Sequence, residues 1–230
     1  QLSEDQKFKL ARNIIAGLPG AEEGYTLAQF QDILDSYSGI GAGQLKKNLY
    51  SFLAQIIPTA ENSGVNMCIH PDDPPYPILG LPRVVSTEED ILELYSEVDS
   101  PNNGLTYCTG SFGVREDNDL VRMVKSLGHR IHFIHLRATK RDNKGNFFEA
   151  DHLDGDVDMF GVMQALIKEQ ITRKNTGRKD IRMPFRPDHG HKMLYDLAKI
   201  TNPGYSLLGR MRGLAELRGL ELGIRSSIEQ

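Results

Sequence analysis

Tryptophan is absent from the 230 residues, and cysteine occurs only twice, at Cys68 and Cys108. Two cysteines in a chain of this length exclude a disulfide-stapled scaffold and point to a reducing compartment, so a cytoplasmic location is expected. No apolar run approaches the roughly 20 residues that span a bilayer, and no membrane partner is expected. The opening Gln1-Leu2-Ser3-Glu4-Asp5-Gln6 lacks the basic and apolar regions of a secretory signal. Positive charge is not in excess either. The 27 Lys and Arg against 31 Asp and Glu give a net charge of −4, which offers no broad electrostatic footprint for nucleic acid. Low-complexity tracts, charge blocks and close repeats are missing. What remains is an ordinary globular composition, 39% hydrophobic and 25% charged, long enough to bury a real core. The first residue is Gln rather than Met, and a fragment or processed chain is expected.

Residues 1–230 are read as one domain, with a helical segment over 1–62 and strand–helix units over 63–230. Ser3-Glu4-Asp5-Gln6 is a capping-box pattern ahead of Phe8, Leu10, Ile14 and Ile15, and Thr26-Leu27-Ala28-Gln29 repeats it ahead of Phe30, Ile33 and Leu34. Leu49, Phe52, Leu53, Ile56 and Ile57 predict a helix from about Leu45 to Ala60. Gly17 to Gly24 and Gly39 to Gly43 punctuate these helices. From Gly64 the rhythm changes. Short apolar runs predict strands at Val65 to Ile69, Leu105 to Cys108, Ile131 to Leu136 and Ile181 to Phe185. Helices are expected after Ser86-Thr87-Glu88-Glu89, from about Asn118 to Leu127, from Val157 to Lys174 after a polar loop, near His191 to Ile200, and over Gly209 to Leu217. Four strand–helix alternations predict right-handed βα units on a parallel sheet. Four units are half of an eight-stranded barrel, and a half barrel leaves two costly sheet edges. Further strands upstream are therefore expected.

Each predicted strand ends in a residue able to bind a metal. These are His70 in Cys68-Ile69-His70-Pro71, Cys108 in Tyr107-Cys108-Thr109-Gly110, His135 in Ile134-His135-Leu136-Arg137, and Asp188 in Arg186-Pro187-Asp188-His189. The C-terminal ends of parallel strands share one face, which carries the chemistry in such folds. The four should therefore converge. Two imidazoles, a thiolate and a carboxylate suit a borderline transition metal better than Mg or Ca. Taken singly, each residue has a plainer explanation: a buried apolar cysteine, a satisfied strand-end histidine, a helix-capping aspartate. Their coincidence on one predicted face favours the metal. Cys68 is read as core, and His132 as a strand residue facing helices or the barrel interior. Arg137 and Arg186 lie beside ligands and could pair with a substrate carboxylate or hydroxyls. The polar cluster from Glu149 to Asp156, with His152 and Asp154, is read as a substrate-binding loop over the mouth, and the extended loop flanked by Pro71 to Pro75 and Pro77 to Pro82 as another wall.

The stretches His70-Pro71-Asp72-Asp73-Pro74-Pro75, Gly80-Leu81-Pro82-Arg83, Cys108-Thr109-Gly110-Ser111, His135-Leu136-Arg137, His152-Leu153-Asp154-Gly155-Asp156-Val157-Asp158-Met159, Arg186-Pro187-Asp188-His189-Gly190-His191, Asn202-Pro203-Gly204-Tyr205 and Gly213-Leu214-Ala215-Glu216 together resemble the mannonate dehydratase family. The leading segment Arg12 to Gly20 is similar to it as well. The resemblance implies the C-terminal portion of a TIM-type (β/α)8 barrel, with about four βα units and preceding helices. It implies dehydration of D-mannonate to 2-keto-3-deoxy-D-gluconate and water in hexuronate (glucuronate) catabolism, with Fe2+ or Mn2+ as cofactor. By the same resemblance, His70, Cys108, His135 and Asp188 hold the metal, and His189 and Tyr205 form an acid/base pair. One takes the C2 proton of the substrate and the other protonates the leaving C3 hydroxyl, in an order the residues leave open. The expected partner is the small-molecule substrate, with a second copy of the chain in a homodimer. The alternatives are a metal-dependent barrel isomerase or epimerase acting on another sugar, and a metal-binding fragment without catalysis.

Overall fold

The structure, a computed structural model, describes residues 2–15 and 25–228. The Gly17 to Gly24 punctuation lies outside the described residues, as do the side chains of Ile14 and Ile15. Helix α1 spans Glu4–Ile15 and α2 Leu27–Ser36. Both predicted caps form. Ser3 Oγ accepts from Gln6 N, whose side chain accepts from Ser3 N in return, and Thr26 and Gln29 do the same. Such reciprocal bonds satisfy two otherwise orphaned N–H groups at each helix start. Helix α3 (Ala42–Ser63) buries Leu53, Ile57 and Ala60 and ends where Gly64 adopts φ +66.

The rest alternates. Strand β1 (Met67–Ile69) leads to α4 (Glu88–Glu97) and β2 (Asn103–Cys108). A one-turn helix α5 (Thr109–Gly113), then α6 (Leu120–Leu127), lead into β3 (Ile131–His135). An antiparallel hairpin of β4 (Ala138–Arg141) and β5 (Phe147–Ala150) precedes α7 (Met159–Asn175). The short strand β6 (Phe185–Arg186), a 3-10 turn at Leu194–Ala198 and α8 (Leu207–Ile228) complete the described chain. The main sheet has the order β1-β2-β3-β6, and every pair is parallel. Strands in consecutive order with helices between them form an arc of a (β/α)8 barrel, as expected.

The core lies between the sheet and its helices. Leu105, Tyr107, Ile131 and Ile134 of the strands meet Ile91, Leu94, Met123, Leu127, Val162, Leu166 and Leu217, all nearly inaccessible. Truncating one such leucine to alanine costs about 2–5 kcal/mol. Tyr107 keeps its hydroxyl satisfied by donating to Leu120 O. Arg173, also buried, is tolerable there because it donates to the carbonyls of Gly128, Ile131 and Asp180 and pairs with Glu169. These bonds tie the end of α7 to the start of β3.

Five expectations need correction. The fourth strand is only Phe185–Arg186, because the segment before it is largely exposed and Pro184 has no N–H to give. The helix expected near His191 to Ile200 is a 3-10 turn, whereas the last helix runs far beyond Leu217, to Ile228. The polar loop after β3 contains the β4–β5 hairpin. Cys68, expected in the core, is half-buried on edge strand β1.

Candidate metal centre

The sheet register lines up the strand ends. Cys108 pairs with His135, and His135 pairs with Arg186, in one row across three strands. His70 follows β1 by one residue, and Asp188 follows β6 by two. Ligand atoms of His70, Cys108 and His135 lie within 4.8 Å of one another. Asp188 closes the group, with Oδ1 3.6 Å from His135 Nδ1 and Oδ2 3.9 Å from Cys108 Sγ. Its backbone sits at φ +59, a left-handed conformation that aspartate tolerates better than most residues.

The geometry of the donors fits a cation. His70 Nε2 and His135 Nδ1 are 3.1 Å apart, a spacing that a hydrogen bond between the two rings holds and that lets both nitrogens face a common point. His70 Nδ1 donates to Pro71 O at 2.7 Å, which leaves Nε2 as the ligand nitrogen, the usual support for a metal-binding imidazole. Burial, with His70, Arg186 and His189 nearby, pushes the His135 pKa below its ordinary value despite Asp188. Burial would raise the Asp188 carboxyl, but His135, His189 and Arg186 hold it below the usual range. Burial and the Asp188 charge push the Cys108 thiol up to about 11, although hydrogen bonds from Ser111 work the other way. A thiolate ligand there therefore needs a cation's field. Two imidazoles, a sulfur and a carboxylate of this disposition suit a borderline divalent metal.

The local sequence explains how Cys108 is aimed. It caps α5, with Sγ accepting from Ser111 N at 3.4 Å and Ser111 Oγ at 3.2 Å. Thr109 Oγ1 donates to Arg137 O at 2.6 Å and accepts from Arg137 N at 2.9 Å, which fastens the β2 end to the β3 end. Gly110 is required where it stands, because a Cβ would lie 2.2 Å from Arg137 Cδ.

Beside these donors runs a second network. Arg137 is nearly buried, and all three of its guanidinium nitrogens are engaged: Nε and one terminal nitrogen with Glu149, the other with Asp73. Glu149 Oε1 lies 2.8 Å from His189 Nδ1, and His189 Nε2 lies 3.4 Å from the Tyr205 hydroxyl. Burial disfavours the Glu149 charge, but the bonds from His189 and Arg137 outweigh it and hold the carboxyl down at about 2. Burial and Asp188 raise the Tyr205 hydroxyl above its ordinary value. Tyr205 reaches His189 because Gly190 N donates to Gly204 O and the two segments bridge at Gly190 and Tyr205. Gly204 has φ +81, and a Cβ there would press to 3.1 Å from His189 Cγ.

The remaining expected residues sit as follows. Arg186 donates to Asp188 Oδ1, and half of its side chain stays exposed. His152 is buried, with Nε2 2.6 Å from Pro187 O. Asp154 pairs with Lys140 at the surface. His132 lies in β3 against Pro101 O and Asn66. Asp72 accepts from Val84 N, Val85 N and Ser86 Oγ, pinning the proline-rich wall. Glu149 heads the polar cluster read from the sequence as a substrate-binding loop, where it carries no role of its own; the structure sets it between Arg137 and His189.

Fold and site together define a class: an α/β barrel-type protein whose strand ends gather metal-competent side chains. A family model for D-mannonate dehydratase (UxuA) matches residues 1–230. A mannonate dehydratase of Marinomonas sp. (strain MWYL1) is 56% identical over 228 residues, covering 99% of this chain and 58% of the relative. The crystal structure of mannonate dehydratase from Streptococcus suis serotype 2 superposes with a TM-score of 0.78 at 33% identity, over 94% of this chain and 58% of that one. A xylose isomerase domain protein from Planctomyces limnophilus, with a TM-score of 0.54 and 14% identity over 88% of this chain and 66% of that one, shares the fold alone. The chain belongs to the D-mannonate dehydratase family, and it spans somewhat more than half the length of these mannonate dehydratases.

Proposed function

We propose that the full-length protein carrying this chain dehydrates D-mannonate to 2-keto-3-deoxy-D-gluconate and water. The observation that carries this reading is the meeting of His70, Cys108, His135 and Asp188 at the strand ends, beside the contact between His189 and Tyr205. Removing the C2 proton of an aldonate is difficult because the adjacent carboxylate is already negative. An Fe2+ or Mn2+ ion held by the four donors would supply positive charge where negative charge develops. His189 and Tyr205 are the proton-transfer pair, the one group acting at C2 and the other at the departing C3 hydroxyl. The half-exposed guanidinium of Arg186 is offered to the substrate carboxylate. Arg137, with every nitrogen engaged, acts by holding Glu149 and Asp73. His152 steadies Pro187, immediately ahead of Asp188.

The test is to load the full-length protein with Mn2+ or Fe2+, add D-mannonate and measure the 2-keto-3-deoxy acid. Its appearance at enzymatic rates supports the proposal. Conversion of a sugar to its ketose or epimer, with no keto-deoxy acid formed, would overturn it.

A further inference from the structure

An imidazole beside a phenol can be held in either neutral tautomer, and the choice decides which partner gives a proton and which takes one. The surroundings of His189 make that choice. Its Nδ1 faces Glu149 Oε1 at 2.8 Å, and its Nε2 faces the Tyr205 hydroxyl at 3.4 Å. Glu149 is set rigidly. Both of its oxygens accept from Arg137, whose remaining terminal nitrogen is fixed by Asp73. A guanidinium has only donors and keeps its charge. A carboxylate cradled by it stays ionised and has no proton to give, in keeping with the strong depression of the Glu149 carboxyl. The proton between Glu149 and His189 therefore belongs to Nδ1.

Resting on the dehydratase reading above, we infer that Glu149 is a positioning residue: it fixes His189 as the Nδ1–H tautomer and turns the Nε2 lone pair toward the Tyr205 hydroxyl, which donates its hydrogen bond to it. The arrangement is the carboxylate–imidazole–hydroxyl logic by which an acid holds a histidine in its working tautomer. Here the acid comes from the β4–β5 hairpin, an insertion after β3, and is itself aimed by an arginine two residues beyond His135.

The experiment has a spectroscopic arm and a kinetic arm, both on full-length protein. Long-range proton–nitrogen correlation spectra of 15N-histidine-labelled protein loaded with diamagnetic Zn2+ report which nitrogen of His189 is protonated, and a His189→Gln spectrum assigns the signal. Protonated Nδ1 with bare Nε2 is expected. The opposite tautomer overturns the inference. In the Mn2+ enzyme, Glu149→Gln should lower kcat on D-mannonate by about 100-fold or more. KM and bound metal should stay within about twofold of wild type, and Glu149→Asp should restore part of kcat. An unchanged kcat in Glu149→Gln, or a loss explained wholly by lost metal, overturns the inference. If Glu149→Gln does not fold, the wild-type spectrum decides. A wild-type protein that shows the expected tautomer but does not act on mannonate sinks the dehydratase reading and leaves the positioning intact.

Discussion

Cys108 is the soft donor of the cluster, and Ser111 and the α5 cap aim its sulfur. Serine keeps the size and most of the hydrogen bonding but is a poor ligand for a borderline metal. Cys108→Ser is therefore expected to reduce bound Mn2+ or Fe2+ by at least about tenfold, no less than the loss of an outer supporting residue causes. Elemental analysis of the dialysed full-length protein measures it. A variant that keeps one metal per chain would remove Cys108 from the ligand set. Glu149 carries the second prediction at this scale, through pH. Its carboxyl is held at about 2 in the folded protein, below the roughly 4.3 of an unfolded glutamate. A depressed acid stabilises the fold fully above its unfolded value, and that contribution fades as pH falls toward the folded one. Acid titration from pH 5 to 2 should therefore destabilise wild type more steeply than Glu149→Gln. Parallel curves for the two proteins would show that the pairing with Arg137 and His189 contributes nothing. The contrast between these two residues also shows what can be read from sequence. Cys108 ends an apolar run, and parallel strands send such ends to a common face, so its neighbours could be anticipated. Glu149 meets His189 across 40 positions, through a hairpin whose strands are too polar to announce themselves by alternation.

Elements differ in the same way. Caps and apolar faces are local, so α2 starts at its expected cap and α3 and α7 fall close to their expected bounds. Strand β6 is defined by what it pairs with, and its two residues carry no pattern of their own. The segment from His191 to Ser206 is set by long-range bonds as well. Asp196, fully buried, accepts from Leu208 N and Gly209 N at the start of α8, and Ser206 Oγ donates to the carbonyls of Gly190 and His191. These bonds fix the stretch that ends in Tyr205, so the cap of α8 doubles as a brace for the hydroxyl. Asp196→Ala should cost about 1–2 kcal/mol, the usual range for a lost helix cap. It should also lower turnover with metal content unchanged, because Tyr205 is no longer held against His189. Asp196→Asn, which retains an acceptor, should recover most of both. Calorimetry and kinetics on the three proteins decide the matter, and full turnover in a destabilised Asp196→Ala would separate the cap from the chemistry.

At the scale of the whole molecule, the four proposed ligands come from the ends of β1, β2, β3 and β6, which make up every strand of the main sheet. His70 and Asp188 are far apart in sequence, and the unfolded chain has no reason to bring all four donors together. A cation held by them binds the folded state almost alone, so its binding free energy becomes folding stability. At a free metal concentration of 100 times Kd this amounts to about 2.7 kcal/mol. For a protein of this size or larger, that corresponds to a shift in Tm of a few degrees. The full-length protein is therefore expected to melt a few degrees lower after chelation and dialysis, and to recover when Mn2+ is restored. Because the cation would link all four strands, the whole transition should move rather than a local shoulder. Cys108→Ser should melt at nearly the same temperature with and without Mn2+. A wild-type Tm indifferent to Mn2+ at saturating concentration would mean that the strand ends do not close on a common ion, and the chemistry proposed for them would lose its foundation.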